Sequence, residues 1–340
     1  MTVRTEEATS SVNPVTEQST ATGVIDVSIV IVSYNTRDVT LACLRSIRDR
    51  AEGCTYEVIV VDNNSPDGSA EAIAAEFPEV TLFANKDNKG FAAANNQGLA
   101  VAKGQYLLLL NPDTEVYPDT LVKTLRFAES HPEVGVVGVR SFGDDGEQQS
   151  TLFRTKRVLD VFVNAFVPNR FMRKSRVLGR SRYIGIDLDA EHDVEIVAGC
   201  FMFVPREAFE RVGGMDEQFF MYGEEAEWCH RFRTHGWKVR YYPGAKILHY
   251  GGVSTDRSQT QMNLAMAKSN LLLIQKTQGR FGAYLANLFM LIRDLPRAAA
   301  WLVCKPFAGD ASTGVMHSLK RAAGRFRLHL SGLLRTDWST

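Results

Sequence analysis

The stretch Gln105–Thr114 constrains the fold of this chain more than any other. Four leucines, Leu107–Leu110, run directly into Asn111, Pro112 and Asp113. A short apolar run bounded by turn residues is typical of a strand buried on both faces, as in a parallel sheet covered by helices. Pro112 has no N–H to donate to a neighbouring strand, so the strand must end there. Asp113 is therefore expected at the carboxyl end of a central strand, where open α/β sheets bind their ligands.

A single carboxylate in that position suits a divalent cation that carries phosphates. Mg²⁺ usually takes one or two protein carboxylates and completes its shell with phosphate and water oxygens. We therefore predict that Asp113 is a metal ligand. The competing interpretation is a plain turn, because asparagine, proline and aspartate all favour turns, and the rest of the chain has to decide between the two.

Strands and helices alternate along the first two thirds of the chain. Val27–Ser33 is a β-branched apolar run, and Tyr56–Asp62 is a second strand that ends in a carboxylate. Further segments follow in order: a helix after Asp38, a helix at 69–76, a strand at 79–84, a helix at 91–103, strands at 107–110 and 134–139, ordered structure at 195–204 and a helix from 205. This spacing indicates an α/β fold with a mostly parallel, Rossmann-like sheet, right-handed crossovers and flanking helices.

The composition argues against several classes of protein. The 39 Lys and Arg balance the 39 Asp and Glu, and a formal net charge of zero disfavours a dedicated nucleic-acid binder. The five cysteines are scattered, odd in number and without CxxC spacing. They favour a reducing, cytoplasmic compartment over a disulfide framework or a zinc site. No uninterrupted apolar run reaches the roughly 18 residues expected of a membrane-spanning helix.

A nucleotide pocket is predicted at the ends of the first two strands. Asp62 and Asp113 share one crevice in such a sheet, and a carboxylate beside a nucleotide accepts a hydrogen bond from the N3–H of uracil or thymine. Ser33, Tyr34 and Asn35 end the first strand and complete a pocket for the base and ribose. Taken alone, Asp62 is better explained as a turn or cap residue.

The segment Asn88–Gly98 opens a predicted helix with a glycine and several amide side chains. Helix N-termini and glycine-rich entries present free N–H groups that suit phosphate, so Asn88, Gly90 and Asn95 join the predicted nucleotide-binding set. The motifs GxGxxG and GxxxxGK(S/T) do not occur here, so dinucleotide-binding and P-loop interpretations lose their fingerprint. A nucleotidyltransferase is disfavoured as well, because Ser33–Thr36 contains no glycine.

Three carboxylates fall within Glu224–Glu227, at the start of a predicted helix. Acidic residues complement the dipole of a first helical turn, which is the simple explanation. The aromatic residues of Phe219–Tyr222 lie just upstream, however, and aromatic surroundings raise the pKa of a carboxyl group towards that of a useful base. Glu224 and Glu225 are therefore predicted catalytic residues. Two adjacent residues cannot both face one substrate, so their tasks should differ.

His249 ends a short predicted strand and precedes a pair of glycines. A lone histidine is more often structural than a ligand. Here it stands beside a flexible loop, as a site residue would, and a neutral imidazole completes a cation shell with Asp113. We predict that His249 is the second protein ligand of the metal.

Taken in order, six blocks resemble the glycosyltransferase family 2 proteins of GT-A fold, particularly the bacterial rhamnosyltransferase-like branch. The blocks are Val27–Asn35, Val60–Ser65, Asn88–Asn96, Leu110–Thr114, Gly213–Glu217 and Tyr222–Arg231, within a similarity that covers about residues 26–275. The resemblance implies a metal-dependent, inverting transfer of a sugar from a nucleoside diphosphate sugar to a hydroxyl group, with Mg²⁺ or Mn²⁺ as cofactor.

The resemblance also assigns roles by position. Ser33, Tyr34 and Asp62 fall on the nucleoside pocket, and Asn64 lies within the matching block. Asn111 and Asp113 fall on the DxD motif that holds the metal against the diphosphate. Glu225 falls on the general base, and His249 falls near a third metal-ligand position.

Two departures from the family pattern matter. Asn111 replaces the first aspartate of DxD, which predicts weaker metal binding that rests on Asp113. The base is Glu225 where the family has aspartate, so its reach is one methylene longer. The QxxRW block of processive synthases is missing, which favours addition of a single sugar.

The resemblance favours L-rhamnose from dTDP-rhamnose as the sugar, and a hydroxyl of a glycan or polyprenyl-diphosphate-linked acceptor in cell-envelope polysaccharide synthesis. Galactofuranose, glucose or GlcNAc from UDP donors are the alternatives within the fold. A non-catalytic sugar-nucleotide-binding or membrane-scaffold protein is the alternative from another class, because of Asn111.

The predicted organisation has three parts: a polar, disordered leader at 1–24, a GT-A domain at 25–260, and a helical, basic region at 261–340. Residues 141–193 form a predicted irregular, basic insertion, interpreted either as an acceptor-recognition loop or as a solvated charged loop.

Apolar residues recur at helical spacing near the end of the chain: Val315, Leu319, Ala322, Phe326, Leu330 and Leu333. That helix is predicted to lie on an anionic membrane surface, with a packed C-terminal helix as the alternative. The protein would then be cytoplasmic and peripheral on the inner face of the membrane, with its oligomeric state left open.

Overall fold

The computed structural model describes residues 23–167, 175, 183, 185–251, 259–304 and 314–332. In chain order the strands are β1 Val27–Ser33, β2 Tyr56–Asp62, β3 Thr81–Ala84, β4 Tyr106–Leu110, β5 Thr114–Val116, β6 Val134–Phe142, β7 Leu152–Phe153, β8 His192–Asp193, β9 Ile196–Val197, β10 Phe201–Pro205 and β11 Lys238–His249. The helices are α1 Arg37–Arg50, α2 Ser69–Glu76, α3 Phe91–Leu99, α4 Thr120–Ser130, α5 Val158–Phe166, α6 Arg206–Val212, α7 Glu224–Thr234, α8 Gln259–Cys304 and α9 Gly314–Gly332. The predicted leader lies outside the described residues except for residues 23 and 24.

One large sheet organises the described part of the chain. Its strand order is β3-β2-β1-β4-β10-β6-β11-β5, with β8 added beside β11. Strands β1 to β4 are mutually parallel, and β10 runs antiparallel between β4 and β6, which restores the original direction in β6 and β11. The predicted mostly parallel α/β fold is confirmed, with β1 and β2 at their predicted bounds.

The four leucines of β4 show why this strand is central. Leu107 and Leu109 point into a core with α3, α6, α7 and α8 on one face of the sheet. Leu108 and Leu110 point into a second core with α1, α2 and α4 on the other face. Each of the four is at most 3% exposed, and full burial of one leucine stabilises the fold by about 1.5–3 kcal/mol. The strand end that carries Asp113 is therefore anchored from both sides.

The insertion at 141–193 is more ordered, where it is described, than the sequence predicted. Strand β6 continues to Phe142, β7 pairs with β9, and α5 packs against α8 through contacts of Phe162 and Phe166 with Phe289. The prediction of an irregular segment was therefore wrong for 158–166. The apolar residues of α5 are explained by its packing, because one side of this helix covers α8.

The C-terminal region is helical, as predicted. Helix α8 changes direction at Gly279, whose φ of 81° lies in the left-handed region. Helix α9 packs on α8: Ala322 is fully buried, the Arg325 guanidinium binds the buried Asp294 carboxylate, and the Asn287 amide donates to the main-chain oxygen of His329. These contacts support the packed-helix alternative for α9. Within the described ranges, no helix is both long enough and apolar enough to cross a membrane.

Candidate active site

Asp113 lies where the sequence predicted, three residues beyond β4. Its side chain is 3% exposed, and its Oδ1 atom is buried without a hydrogen-bond donor among the described residues. A buried carboxylate oxygen that lacks a donor is costly unless a cation or another ligand compensates for it. The plain-turn interpretation does not account for this atom.

His249 lies opposite Asp113 because β11 runs antiparallel to β5. His249 pairs with Thr114 across the two strands, and the Tyr250 N–H donates to the Asp113 main-chain oxygen at 3.0 Å. The His249 Nε2 atom is then 3.4 Å from Asp113 Oδ1. An imidazole nitrogen and a carboxylate oxygen that face each other fit a divalent cation.

This pair needs additional ligands from outside the protein side chains. Among the described residues, no group of three or more His, Cys, Asp or Glu is close enough to hold a metal ion. A cation held by Asp113 and His249 would complete its shell with phosphate or water oxygens, which is the usual arrangement for Mg²⁺ at phosphate sites. The site therefore fits a metal that arrives with a nucleotide.

Asp62 ends β2, which is separated from β4 by β1 alone. Two strand spacings correspond to about 10 Å across the sheet. The Oδ2 atom of Asp62 accepts from the Ser65 N–H at 2.9 Å, while Oδ1 is buried without a donor among the described residues. Asn35 and Asn64 adopt positive φ angles of 55° and 69°, so two tight turns frame the open oxygen. Tyr34 is half-buried beside them.

Two predicted nucleotide-binding side chains point elsewhere. Ser33 is fully buried, and its hydroxyl contacts those of Thr36 and Thr40 at 3.1 and 3.3 Å. Asn95 is 1% exposed, and its amide donates to the Phe91 main-chain oxygen one turn earlier in α3. Their side-chain polar groups are used inside the fold, and the nucleotide-binding role of Ser33 and Asn95 stays a prediction.

Asn63 is a site residue that the sequence prediction missed. Its amide donates to Asn88 Oδ1 and to the Gly90 main-chain oxygen, both at 3.1 Å, and its own Oδ1 accepts from Asn85 and from the Lys89 N–H. The side chain thus ties the end of β2 to the loop before α3. Asn88 and Gly90 help to fix this loop, because both accept hydrogen bonds from Asn63. The sequence signal that could have identified Asn63 was an asparagine directly after Asp62.

Gly90 also needs to be glycine for a steric reason. Its φ is 87°, and an added Cβ would come 2.5 Å from the Phe220 main-chain oxygen. The Phe91 N–H donates to that same oxygen at 2.9 Å. The entrance to α3 is therefore joined to the loop that leads into α7.

Glu224 and Glu225 begin α7 behind a tightly turned loop. Tyr222 and Gly223 have φ angles of 71° and 93°, and the Ser269 hydroxyl of α8 donates to the Met221 main-chain oxygen at 3.0 Å. A left-handed non-glycine residue costs on the order of 1 kcal/mol. Contacts with α3 and α8 hold the loop in this strained form.

The two glutamates differ in environment, as predicted. Glu224 is 4% exposed with Oε2 lacking a donor in the described chain, whereas Glu225 is half-buried and its Oε2 accepts from the Gly223 N–H at 3.0 Å. Burial, together with the neighbouring Glu225 charge, raises the pKa of Glu224 well above its ordinary value. Burial also raises the pKa of Glu225, and backbone N–H groups partly oppose it.

Glu225 and the Asp113 loop belong to one site. The Asn111 N–H donates to the Cys200 main-chain oxygen at 3.1 Å, and a Cβ on the preceding Gly199 would lie 3.7 Å from Glu225 Cβ. Residues 199 and 200 thus bridge the end of β4 to the first turn of α7. The arrangement brings the Asp113–His249 pair, the Asp62 carboxylate and the two glutamates of α7 to one edge of the sheet.

Comparison with known proteins identifies the family. The model of glycosyl transferase family 2 matches residues 28–213, from β1 to the end of α6 and thus more than half of the chain. The chain belongs to glycosyl transferase family 2. A second family model, the N-terminal domain of galactosyltransferase, matches residues 182–253 and covers α7 and β11 of this family 2 protein.

Two relatives are rhamnosyltransferases. N-acetylglucosaminyl-diphospho-decaprenol L-rhamnosyltransferase of Mycobacterium tuberculosis (strain ATCC 25618 / H37Rv) is 26% identical over 228 residues, which are 64% of this chain and 74% of the relative. Rhamnosyltransferase WbbL of Escherichia coli (strain K12) is 27% identical over 232 residues, which are 66% of this chain and 83% of the relative. The family 2 protein therefore resembles rhamnosyltransferases over most of their length.

Two solved structures share the fold. Mannosyltransferase PcManGT from Pyrobaculum calidifontis, in complex with GDP-Man and Mn²⁺, has a TM-score of 0.50 at 20% identity and aligns 94% of this chain with 86% of its own. GalNAc-T7 with UDP, GalNAc and Mn²⁺ has a TM-score of 0.53 at 15% identity and aligns 92% of this chain with 57% of its own. Both are glycosyltransferases, and the likeness establishes the GT-A type of fold.

Family membership makes this protein a glycosyltransferase that uses a nucleotide sugar. The non-catalytic alternative, which rested on Asn111, is set aside. The sugar, the acceptor and the metal requirement depend on the residues described above.

Proposed function

We propose that this family 2 enzyme catalyses the metal-dependent, inverting transfer of a single sugar to a hydroxyl group. The observation that carries the proposal is the Oδ1 atom of Asp113, which has no donor within the described part of the chain and faces His249 Nε2 at 3.4 Å. Asn111 lies in the same loop as Asp113 and would be the third residue of the metal site. A bound Mg²⁺ or Mn²⁺ would neutralise the charge that develops on the leaving diphosphate.

The protein residues divide the work between donor and acceptor. Asp62 accepts the N3–H of the base through its open Oδ1, with Tyr34, Asn35 and Asn64 forming the surrounding turns. Glu225 takes the proton of the acceptor hydroxyl as its oxygen attacks the anomeric carbon, and the raised pKa strengthens it as a base. Burial raises the pKa of Glu224 well above its ordinary value, so we assign to Glu224 the proton that the pair would share.

The donor we favour is dTDP-L-rhamnose, because both rhamnosyltransferase relatives align over most of their length. Thymine and uracil offer the same N3–H to Asp62, so UDP-linked galactofuranose, glucose and GlcNAc are the competing donors. A panel of nucleotide sugars, with product masses read by mass spectrometry, tests the assignment. Turnover of a UDP-sugar with none of dTDP-rhamnose would contradict it.

The acceptor we favour is a hydroxyl of a glycan on a polyprenyl diphosphate, in the synthesis of a cell-envelope polysaccharide. The name of the mycobacterial relative contains such a lipid-linked sugar. Two arginines lie in or beside the insertion near α7: the half-buried Arg154, and Arg233, whose Nη1 lies 3.9 Å from Glu195 Oε2. Together they suit an anionic acceptor. Transfer to a water-soluble sugar at the same rate as to a lipid-linked sugar would oppose this assignment.

The membrane contact that we propose lies on α8, whereas the sequence had suggested α9. Beyond Gly279, one side of α8 is apolar and exposed: Phe281 (78%), Tyr284 (47%), Ile292 (46%), Leu295 (52%), Leu302 (66%) and Val303 (68%). These positions recur at helical spacing, and Arg280 and Arg297 flank them. An exposed apolar stripe flanked by arginines suits a surface of anionic lipid. We therefore propose that the protein binds the inner face of the membrane through this stripe.

Vesicle flotation tests this contact. Vesicles that contain phosphatidylglycerol should carry the native protein to the top of the gradient, and the Phe281→Glu/Leu302→Glu double variant should remain below. Val101→Glu, at an exposed apolar position just after α3, is the matched control. Equal flotation of the native protein and the double variant would reject the contact.

A further inference from the structure

Gln149 contacts both the main chain and the imidazole ring of His249. Its Nε2 atom is 2.7 Å from the His249 main-chain oxygen, and its Oε1 atom is 2.8 Å from His249 Nδ1. The Ser141 hydroxyl also donates to Gln149 Oε1 at 3.0 Å. The Gln149 N–H donates to the Ser141 main-chain oxygen, which fixes the backbone next to β6.

These contacts determine where the protons lie. A main-chain carbonyl oxygen only accepts, so the amide nitrogen of Gln149 must face it. The amide oxygen must then face His249 Nδ1, and an amide oxygen also only accepts. The Nδ1 atom therefore carries the imidazole proton, and the hydrogen bond at one nitrogen sets the state of the other.

The opposite nitrogen supports the same assignment. His249 Nε2 is 3.4 Å from Asp113 Oδ1, and that oxygen accepts no hydrogen bond in the described structure. In the neutral imidazole, Nε2 then presents a lone pair to a carboxylate oxygen, which is unfavourable unless a positive ion lies between the two. A ligating histidine commonly donates its other N–H to a fixed acceptor in this manner.

We propose that Gln149 is a positioning residue that keeps His249 in the Nδ1–H tautomer, with its Nε2 lone pair directed at the cation. The proposal rests on the metal site of the proposed function. It adds a residue from the basic insertion, 100 positions away from the histidine in the chain. It also gives the Ser141–Gln149 segment a part in the metal chemistry.

Two variants and one control test the proposal. Gln149→Leu removes both polar contacts at similar size. Gln149→Glu keeps an acceptor for the Nδ1–H but loses the donor to the His249 main-chain oxygen. Gln148→Leu is the matched control, because the Gln148 amide contacts the Tyr241 hydroxyl and not the histidine.

The first measurement needs no metal. Two-bond ¹H–¹⁵N correlations of histidine-labelled protein report the tautomer, with the signal of His249 assigned through His249→Gln. The native protein, the Gln148→Leu control and Gln149→Glu should show the Nδ1–H form. Gln149→Leu should lose it. Retention of Nδ1–H in Gln149→Leu would overturn the proposal.

The second measurement is Mn²⁺ binding by calorimetry in the presence of nucleoside diphosphate. Gln149→Leu should weaken the Mn²⁺ affinity by about 10–100-fold, as is typical when the partner of a ligating histidine is lost. Gln149→Glu and Gln148→Leu should stay within a few-fold of native. An unchanged affinity in Gln149→Leu would also overturn the proposal. If the native protein binds no Mn²⁺, the proposed metal function fails, while the tautomer result still decides whether Gln149 sets the state of His249.

Discussion

Asp113 and the Glu224–Glu225 pair are both buried acidic centres, yet the fold holds them differently. Asp113 follows a strand anchored in two cores; one of its oxygens has no donor among the described residues, and an imidazole nitrogen lies opposite. Glu225 begins a helix behind a strained loop and is hydrogen-bonded by the backbone. In the proposed function, the first centre binds a positive ion and the second takes up a proton. The comparison shows how environment divides one functional group between two chemical tasks.

The largest expected effect comes from removal of the base. Glu225→Gln should lower turnover by about 10²–10⁴-fold, the usual contribution of a positioned general base, and leave nucleoside diphosphate affinity within a few-fold of native. Release of nucleoside diphosphate and calorimetry measure the two quantities. Glu224→Gln is the matched control, with a loss of at most about tenfold expected, because the proposed function assigns the proton of the pair to Glu224. A larger loss in Glu224→Gln than in Glu225→Gln would reverse the assignment.

Removal of the Asp113 charge tests the other centre. Asp113→Asn should abolish the stimulation of turnover by Mn²⁺ and weaken Mn²⁺ binding by more than about tenfold, because a carboxylate is the preferred ligand of a hard cation. Asp119→Asn, at a surface residue paired with Lys123 near the start of α4, is the control. Native stimulation by Mn²⁺ in Asp113→Asn would remove Asp113 from the metal site.

Introduction of a second carboxylate, at the first position of DxD, should change Mn²⁺ affinity less than Asp113→Asn does, and in the opposite direction. Asn111→Asp adds a negative oxygen ligand in the same loop, so the Mn²⁺ affinity should rise by up to about tenfold. A titration of Mn²⁺ against initial rate measures this change. If Asn111→Asp weakens Mn²⁺ binding, the departure from the DxD pattern is an adaptation to this site and not a loss.

The smallest effect concerns stability. The folded state raises the pKa of Glu224, so the folded protein binds that proton more tightly than the unfolded chain does. The stabilisation from protonation is therefore present below the ordinary glutamate pKa and is lost as the pH rises through the raised value.

Glu224→Gln removes this dependence. Its Tm should exceed that of the native protein by about 2–4 °C at pH 8, the shift that about 1 kcal/mol gives in a large domain, and the difference should disappear near pH 4. Scanning calorimetry at both pH values checks it. A lower Tm for Glu224→Gln at pH 8 would show that the Glu224 charge is stabilised in the fold.

The sequence predicted the sheet and its strand-end carboxylates well for a physical reason. Buried strands such as β1 and β4 are marked by continuous apolar runs, and their ends are marked by proline and polar residues. The nucleotide-binding roles of Ser33 and Asn95 stay predictions, because a polar residue near a predicted site has two uses. The sequence does not show whether its side chain turns to a ligand or to its own backbone.

Long-range contacts explain most of what the sequence did not reveal. Gln149 contacts His249 across 100 residues, and Asn63 contacts Asn88 across 25 residues. Neither spacing has a periodic signature. Helix α5 was missed because its apolar positions serve α8, and the preceding basic residues dominated the interpretation. Family resemblance supplied the role of Glu225, which composition and spacing alone left open.

The antiparallel strand β10 has a consequence for biosynthesis. Until residues 201–205 leave the ribosome, β4 is an unprotected edge strand of four consecutive leucines, which is a template for pairing with other chains. The nascent chain that contains β1 to β4 is therefore prone to aggregate until β10 pairs with β4. A fragment that stops before β10 should therefore accumulate in inclusion bodies, although it contains the complete parallel half of the sheet.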